Sequence, residues 1–212
     1  MVLASAKRSK HLKNFANPEV FDFTEKSLYG IVDVACDNHA RLMLREHFRC
    51  TPKIIEFSNR NFYDGKLIPV KRFKSHGLTP LEHKYVEGGC QEGEQGAIHN
   101  WAEAKEIALK IAECIGDGRY FDENGNPKSM GVTALQGQGQ KEYVEKALAE
   151  LKIDELELAK RSFRIGDART FQGDERDVIF LSMVVGGAGR KFRTLTTEEY
   201  QQRYEKIVDY FF

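Results

Sequence analysis

The apolar run at residues 177–185, "DVIFLSMVV", constrains the fold of this chain more than any other feature. It is short and rich in β-branched residues, and it lies between Asp177 and the glycine pair that begins at Gly186. Such a run is typical of a strand that is buried on both faces, as in a parallel sheet. The preceding stretch "TFQGDER" would then be a polar loop at the edge of that sheet, where ligand sites of open α/β sheets gather.

Hydrophobic periodicity predicts an alternation of strands and helices along the rest of the chain. The predicted strands cover residues 41–48, 81–89, 129–136, 163–168 and 178–185. The predicted helices cover residues 26–36, 52–65, 100–118, 137–153 and 196–211. This alternation favours an α/β fold with a parallel sheet.

Local start signals support two of these helices. Thr51 is a suitable N-cap because Pro52 follows it at the first helical position. Asn100 and Glu103 have the spacing of a capping box before a helix with apolar residues at helical spacing. We therefore expect helices to begin at Pro52 and directly after Asn100.

Composition indicates a cytoplasmic globular protein with no membrane span. The chain has 212 residues, 41% of them hydrophobic and 30% charged, and it contains neither a long apolar run nor a secretory signal. Its four cysteines are scattered, with no CxxC pair, so reduced thiols and no metal site are expected. Residues 1–75 carry 14 basic and 8 acidic side chains. This excess of positive charge could bind phosphate, or the basic side chains could simply belong to an ordinary solvated surface.

Several catalytic motifs are absent from the sequence. The stretch "GGAGRKFRT" is the nearest approach to a Walker A loop, but Lys191 is followed by Phe192 instead of Ser or Thr. Neither H-E-x-x-H nor G-x-S-x-G occurs. The "GQGQ" at residues 137–140 could cradle a phosphate at a helix N-terminus, or it could be only a tight strand-to-helix turn.

Two longer segments carry a more specific pattern. Residues 44–67 read "LREHFRCTPKIIEFSNRNFYDGKL", and residues 166–184 read "GDARTFQGDERDVIFLSMV". In this order and spacing they resemble the second motor domain of superfamily-1 helicases, whose members unwind DNA or RNA. The resemblance covers about residues 41–204 and implies a RecA-like parallel sheet sandwiched by helices.

The resemblance implies a role for each polar residue of the 170–177 loop. In such motors two RecA-like domains enclose ATP, and nucleic acid runs across both. Gly173 would let the backbone approach phosphate or sugar, and Glu175 would face the nucleotide near its ribose. Gln172 would link the ATP site to the nucleic acid. Thr170 would hydrogen-bond a phosphate of the bound strand.

Three residues outside this loop receive roles from the same resemblance. Arg49 matches the arginine finger that reaches the γ-phosphate, where a guanidinium fork stabilises charge on the transferred group. Thr133 and Gln140 fall where relatives contact the nucleic-acid backbone, although "ALQGQGQ" departs from the commoner family pattern.

The resemblance also implies that this chain is part of a larger motor. Residues 1–40 would be a helical lead-in, and residues 41–212 would be a second motor domain without the family's last motif. The Walker A loop and the Mg²⁺-binding acidic pair would belong to a first domain upstream. ATP and Mg²⁺ would therefore bind the full-length parent, and the isolated chain should be nearly inert.

Two other functions remain open from the sequence alone. The chain could be a non-catalytic nucleic-acid-binding or adaptor module derived from a helicase. It could also be a nuclease that binds Mg²⁺ through Asp167, Asp174, Glu175 and Asp177. Whichever applies, the apolar sector of the predicted helix at 196–211 leads us to expect weak self-association.

Overall fold

The computed structural model describes residues 27–35, 42–71, 77–94, 97–135, 139–167, 170–171 and 174–186. The chain divides into two units between Arg45 and Glu46. In the first unit, helix α1 (Leu28–Ala35) matches part of the helix predicted over 26–36. The remainder of the predicted lead-in and the helix predicted at 196–211 lie outside the described residues.

The second unit contains the elements from which the sheet and its covering helices are built. Its strands are β1 (Glu46–His47), β2 (Ile68–Pro69), β3 (Met130–Ala134), β4 (Arg164–Gly166) and β5 (Val178–Ser182). Its α-helices are α2 (Pro52–Phe62), α3 (Trp101–Gly116), α4 (Gln140–Glu150) and α5 (Glu155–Lys160). A 3₁₀ turn follows α3 at Gly118–Tyr120.

The main sheet is parallel and has the strand order β4-β3-β5. In its register, Gly131 of β3 lies opposite Arg164 of β4 and Ile179 of β5. A second parallel pair joins β1 to β2. Parallel strands joined by helices confirm the predicted α/β fold.

The core forms where α3 and α4 pack on one face of β3. Val132 contributes to a buried cluster with Ile107 and Ile111 of α3 and Val144 of α4. The apolar residues whose helical spacing predicted α3 are therefore the residues that α3 buries against the sheet. Within the described part of the chain, no helix is long and apolar enough to cross a membrane.

Two predicted strands differ from the structure. Of the strand predicted at 41–48, the described residues 42–48 pair with a neighbour only at Glu46–His47, and Leu42 and Leu44 are 87% and 82% exposed. The segment predicted as a strand at 81–89 forms no strand, and its turn at Gly88 has a φ of 72°. An apolar pattern produces a strand only where another strand is available for pairing.

Candidate functional site

The loop between β4 and β5 crosses the sheet from one end to the other. It leaves β4 after Gly166, at the carboxyl end of the parallel strands, and it must reach the amino end of β5 at Val178. The sequence interpretation placed this polar loop at the sheet edge. Only its first residues lie at the carboxyl end, because a parallel strand of the same sheet can be entered only from its amino end.

Phe171 anchors the middle of this loop against the sheet. Val132 faces α3 and α4, so its neighbour Gly131 faces the opposite side of the sheet. A Cβ at Gly131 would lie 2.7 Å from Phe171 Cε1, so the absence of a side chain makes room for the ring. Phe171 is fully buried. This buried ring fixes the loop between its two polar ends.

At the carboxyl end of the sheet, Thr170 is bound to Asp167. The Thr170 backbone N–H and hydroxyl both donate to Asp167 Oδ1, each at 2.9 Å. Gly166 permits this turn, because a Cβ there would lie 2.4 Å from Thr170 side-chain atoms. The Thr170 hydroxyl therefore already has a partner, and its contact with a nucleic-acid phosphate stays a prediction.

At the amino end of the sheet, Asp174 is held by two arginines. Arg164 Nη1 donates to Asp174 Oδ2 at 3.1 Å, and Arg176 Nη1 donates to Asp174 Oδ1 at 2.5 Å. Partial burial acts to raise the pKa of Asp174, but the hydrogen bonds from Arg176 and Arg164 outweigh it and lower the pKa overall. The carboxylate therefore stays ionised and ties the loop to the start of β4.

A second clamp aligns the starts of β3 and β5. The Ser129 backbone N–H and hydroxyl donate to Asp177 Oδ2 at 2.8 and 2.6 Å, and the Asp177 backbone N–H donates to Ser129 Oγ at 3.0 Å. These residues immediately precede the paired Met130 and Val178. The clamp thus fixes the register at the amino end of the sheet.

Arg49 and Glu175, the predicted arginine finger and ribose contact, meet in the structure. They are 126 residues apart in sequence, and Arg49 Nε donates to Glu175 Oε1 at 3.2 Å. The side chains are 36% and 72% exposed, so the pair faces solvent. Lys71 Nζ also donates to the Arg49 carbonyl at 2.8 Å. The structure therefore brings two predicted nucleotide-facing residues to one exposed surface.

The predicted residues Gln172 and Gly173 lie outside the described residues. Thr133 is described and lies fully buried in β3. Its Oγ1 has no hydrogen-bond partner within the part of the chain that the structure describes. Thr133 is two residues after Gly131, so its buried hydroxyl lies on the face of the sheet that Phe171 covers. Its contact with nucleic acid stays a prediction.

Gln140 is fully buried at the first position of α4. Its Oε1 accepts from the Asn100 backbone N–H at 2.7 Å, and its Nε2 donates to the Asn100 carbonyl at 3.3 Å. Here Gln140 joins α4 to the start of α3. A contact between Gln140 and nucleic acid stays a prediction, and it requires these two hydrogen bonds to be exchanged.

The predicted capping box of α3 is only half formed. Asn100 Oδ1 accepts from the Glu103 backbone N–H at 3.1 Å, as predicted. The Glu103 carboxylate instead accepts from the backbone N–H groups of Met183 and Val184, at 2.7 and 2.8 Å. Burial raises the pKa of Glu103, and these two hydrogen bonds act in the opposite direction.

Glu103 holds the strained segment that directly follows β5, a contact that the sequence did not reveal. Val184 has a φ of 64°, a left-handed conformation that is costly for a β-branched residue. The local pattern Asn-x-x-Glu predicts a capping box in which Glu103 binds the start of its own helix. It contains no signal that the carboxylate binds Val184, 81 residues away.

The four carboxylates of the nuclease hypothesis have separate partners in the structure. Asp167 binds Thr170, Asp174 binds Arg164 and Arg176, Glu175 binds Arg49, and Asp177 binds Ser129. Across the described ranges, no group of three or more His, Cys, Asp or Glu residues could hold a metal ion. The arrangement favours carboxylates that are separately hydrogen-bonded or ion-paired over carboxylates that share a metal.

Comparison with known proteins shows which family this chain belongs to. The family model described as "AAA domain" matches residues 24–198. A protein described as "Putative helicase mov-10-B.2", from Danio rerio, is 26% identical over 179 residues. "Putative helicase mov-10-B.1" from the same organism is 25% identical over 178 residues. Each match covers 76% of this chain but only 17% of the relative's length.

Proposed function

Because the chain belongs to the AAA-domain family, with the RecA-like α/β fold of superfamily-1 helicase motor domains, we propose that it is the second motor domain of an ATP-dependent helicase. In this role it supplies an arginine finger to ATP and contacts DNA or RNA. The remaining nucleotide ligands come from a first motor domain encoded elsewhere in the parent. The 17% coverage of the two relatives is consistent with a longer parent.

The Arg49–Glu175 contact is the single observation that most supports this proposal. In the structure, the guanidinium is paired with a carboxylate that is mostly exposed. Exposed pairs contribute only about 0–1 kcal/mol, so a γ-phosphate with higher charge can displace Glu175 from Arg49. The released Glu175 is then available to the ribose. The pair thus holds Arg49 ready at the proposed nucleotide surface and gives way to ATP.

The proposed nucleic-acid contacts lie on the sheet and at its carboxyl end. Thr170 is bound to Asp167 there, Thr133 presents a buried hydroxyl in β3, and Gln140 links α4 to Asn100. The 170–177 loop connects this end to Glu175 at the amino end. A shift at the nucleotide is therefore proposed to reach the bound strand through the loop that contains Gln172 and Gly173.

The test is the substitution Arg49→Ala in the full-length parent. A finger residue acts mainly on the transition state, so kcat for ATP should fall on the order of 10³-fold while KM changes little. Arg60→Ala is the matched control, because Arg60 lies on the neighbouring α2 and, in the part of the chain that the structure describes, pairs with Glu56 on its own helix. Steady-state ATPase kinetics in the presence of nucleic acid measure both values.

Three results would count against this proposal. Unchanged kcat with a raised KM would make Arg49 a binding residue. A parent without ATP turnover but with salt-dependent nucleic-acid binding would favour the adaptor function. ATP turnover by the isolated chain would contradict the assignment, since this domain is proposed to contribute only part of the nucleotide site.

A further inference from the structure

His47 and Cys50 form a thiol–imidazole pair at the end of β1, separate from the contacts described above. His47 Nε2 lies 2.7 Å from Cys50 Sγ and accepts the Cys50 backbone N–H at 3.2 Å. His47 is the last residue of β1, and Cys50 lies in the bend that leads into α2, whose first residue is Pro52. The backbone contact orients the imidazole, so its position beside sulfur does not depend on the thiol alone.

The backbone contact also determines which atom carries the proton. Because Nε2 accepts the Cys50 N–H, it has no proton of its own in this arrangement, and the thiol is the group that donates to it. A neutral imidazole nitrogen within hydrogen-bond distance of a thiol is the arrangement that activates cysteine nucleophiles.

We propose that Cys50 is a modification site that reacts with hydrogen peroxide, with His47 as its base. The thiol proton passes to His47 Nε2, and the thiolate attacks one oxygen of the peroxide. The sulfur–oxygen bond forms as the oxygen–oxygen bond breaks. The departing hydroxide takes the proton from His47 and leaves as water. Cysteine is oxidised to sulfenic acid, and the peroxide is reduced.

The position of Cys50 selects a small oxidant. Cys50 is only 2% exposed, while Phe48, two residues before it, is 64% exposed, so the segment that carries the buried thiol reaches the surface. Hydrogen peroxide needs little more space than water, whereas a bulky electrophile requires the turn to open. The site is therefore expected to favour hydrogen peroxide over large alkylating reagents.

The described thiols provide two internal comparisons. Cys114 is also buried, but it packs with Tyr120 and Met130 in an apolar cluster, and burial raises its pKa. Cys90 is exposed, and its thiol lies 3.6 Å from a Glu92 carboxylate oxygen. If exposure alone set the rate, Cys90 would react first. If the His47 base sets it, Cys50 reacts first despite its burial.

The experiment treats the full chain with hydrogen peroxide and traps sulfenic acid with a dimedone-type reagent after unfolding. All four cysteines fall in separate tryptic peptides, so mass spectrometry gives a rate for each thiol. We expect Cys50 to be oxidised at least about tenfold faster than Cys114 and Cys90. Equal rates for Cys50 and Cys114 in the unmodified protein would overturn the proposal, with no variant required.

His47→Gln isolates the role of the base. Glutamine can still accept the Cys50 backbone N–H, but it cannot take up the thiol proton. Cys50 oxidation should fall to the rate of Cys114, while the Cys114 and Cys90 rates stay unchanged and so report an intact fold. Unchanged Cys50 oxidation in this variant would also refute the proposal. Cys50 adjoins Arg49, and any effect of oxidation on ATP turnover would rest on the proposed function, whereas the reactivity does not.

Discussion

The layer formed by α3, β3 and α4 and the surface that carries Arg49 and Glu175 are built in opposite ways. The first is held by buried apolar side chains and by polar side chains that are also fully buried, such as Arg161 and Gln140. The second is held by an ion pair that faces solvent. The difference separates the part that supplies stability from the part whose contacts can be exchanged.

Arg161 shows how a charged residue can belong to the stable layer. Its guanidinium donates to the carbonyls of Tyr120, Ile115 and Lys128 at 3.1, 3.2 and 3.4 Å. The group also lies 5.0 Å from the centre of the Phe121 ring. Burial lowers the pKa of Arg161, with nearby charges acting in the opposite direction. This one side chain joins the end of α3 to the start of β3.

The largest expected effect on stability is therefore that of Arg161→Met. The variant removes three hydrogen bonds to carbonyls, of which that of Tyr120 keeps the Lys128 backbone N–H as a donor. Each carbonyl left without a donor costs about 1–3 kcal/mol, and the relief of burying a charge offsets part of that cost. We expect the free energy of unfolding to fall by about 3 kcal/mol, measured by urea denaturation at constant m-value. Arg164→Met is the matched control, because that exposed arginine pairs with Asp174 and should cost less than about 1 kcal/mol.

Gly131→Ala should have the next largest effect. The added methyl would lie 2.7 Å from the buried Phe171 ring, and overpacking of this kind costs about 1–3 kcal/mol. Phe171→Leu should recover part of this loss in the double variant, because the smaller side chain vacates the position. Gly118→Ala is the control, since a Cβ there meets nothing within 4 Å. Additive effects of the two substitutions would contradict the packing described here.

The stable layer was largely predictable because its signals are local. Ile107 and Ile111 recur at helical spacing, and the apolar runs of β3 and β5 are short and bounded by polar or turn residues. Each of these elements forms as predicted. Arg161 could not be recognised, because its three acceptors are backbone carbonyls 33 to 46 residues away and a carbonyl carries no sequence signature.

The candidate site was predictable only in part. Arg49 and Glu175 were found because their segments resemble a known motor domain, and the structure places them in contact. The path of the 167–177 connection was not foreseen. Crossovers between parallel strands are usually helical, whereas the described residues of this one contain no helix and depend on Phe171 for packing. The space for the Phe171 ring is left by Gly131, 40 residues earlier, so the residues next to Phe171 in the sequence do not reveal this packing.

Thr133→Val tests the buried hydroxyl and should have a smaller effect of the opposite sign. Valine keeps the shape and removes an Oγ1 that has no partner among the described residues, so stability should rise by about 1 kcal/mol. Thr170→Val is the matched control, because its hydroxyl bonds Asp167 and its loss should cost about 1 kcal/mol. Thermal unfolding of both variants reads the two signs directly. A destabilised Thr133→Val would show that the hydroxyl has a partner in solution.

The smallest expected effect belongs to the Arg49–Glu175 pair, and it is the one that separates the two regions most sharply. A double-mutant cycle with Arg49→Met and Glu175→Gln should give a coupling energy below about 1 kcal/mol, since both side chains are exposed. Raising the salt concentration from about 0.1 to 1 M should reduce this coupling energy further, because screening shortens the Debye length to about 3 Å.

Arg176, whose side chain is mostly buried against Asp174, provides the contrast, and its coupling to Asp174 should persist in high salt. A coupling of 2 kcal/mol or more between Arg49 and Glu175, insensitive to salt, would mean that this contact is part of the framework. Arg49 could then not exchange Glu175 for a phosphate at low cost, and the proposed role as a finger would lose its main support.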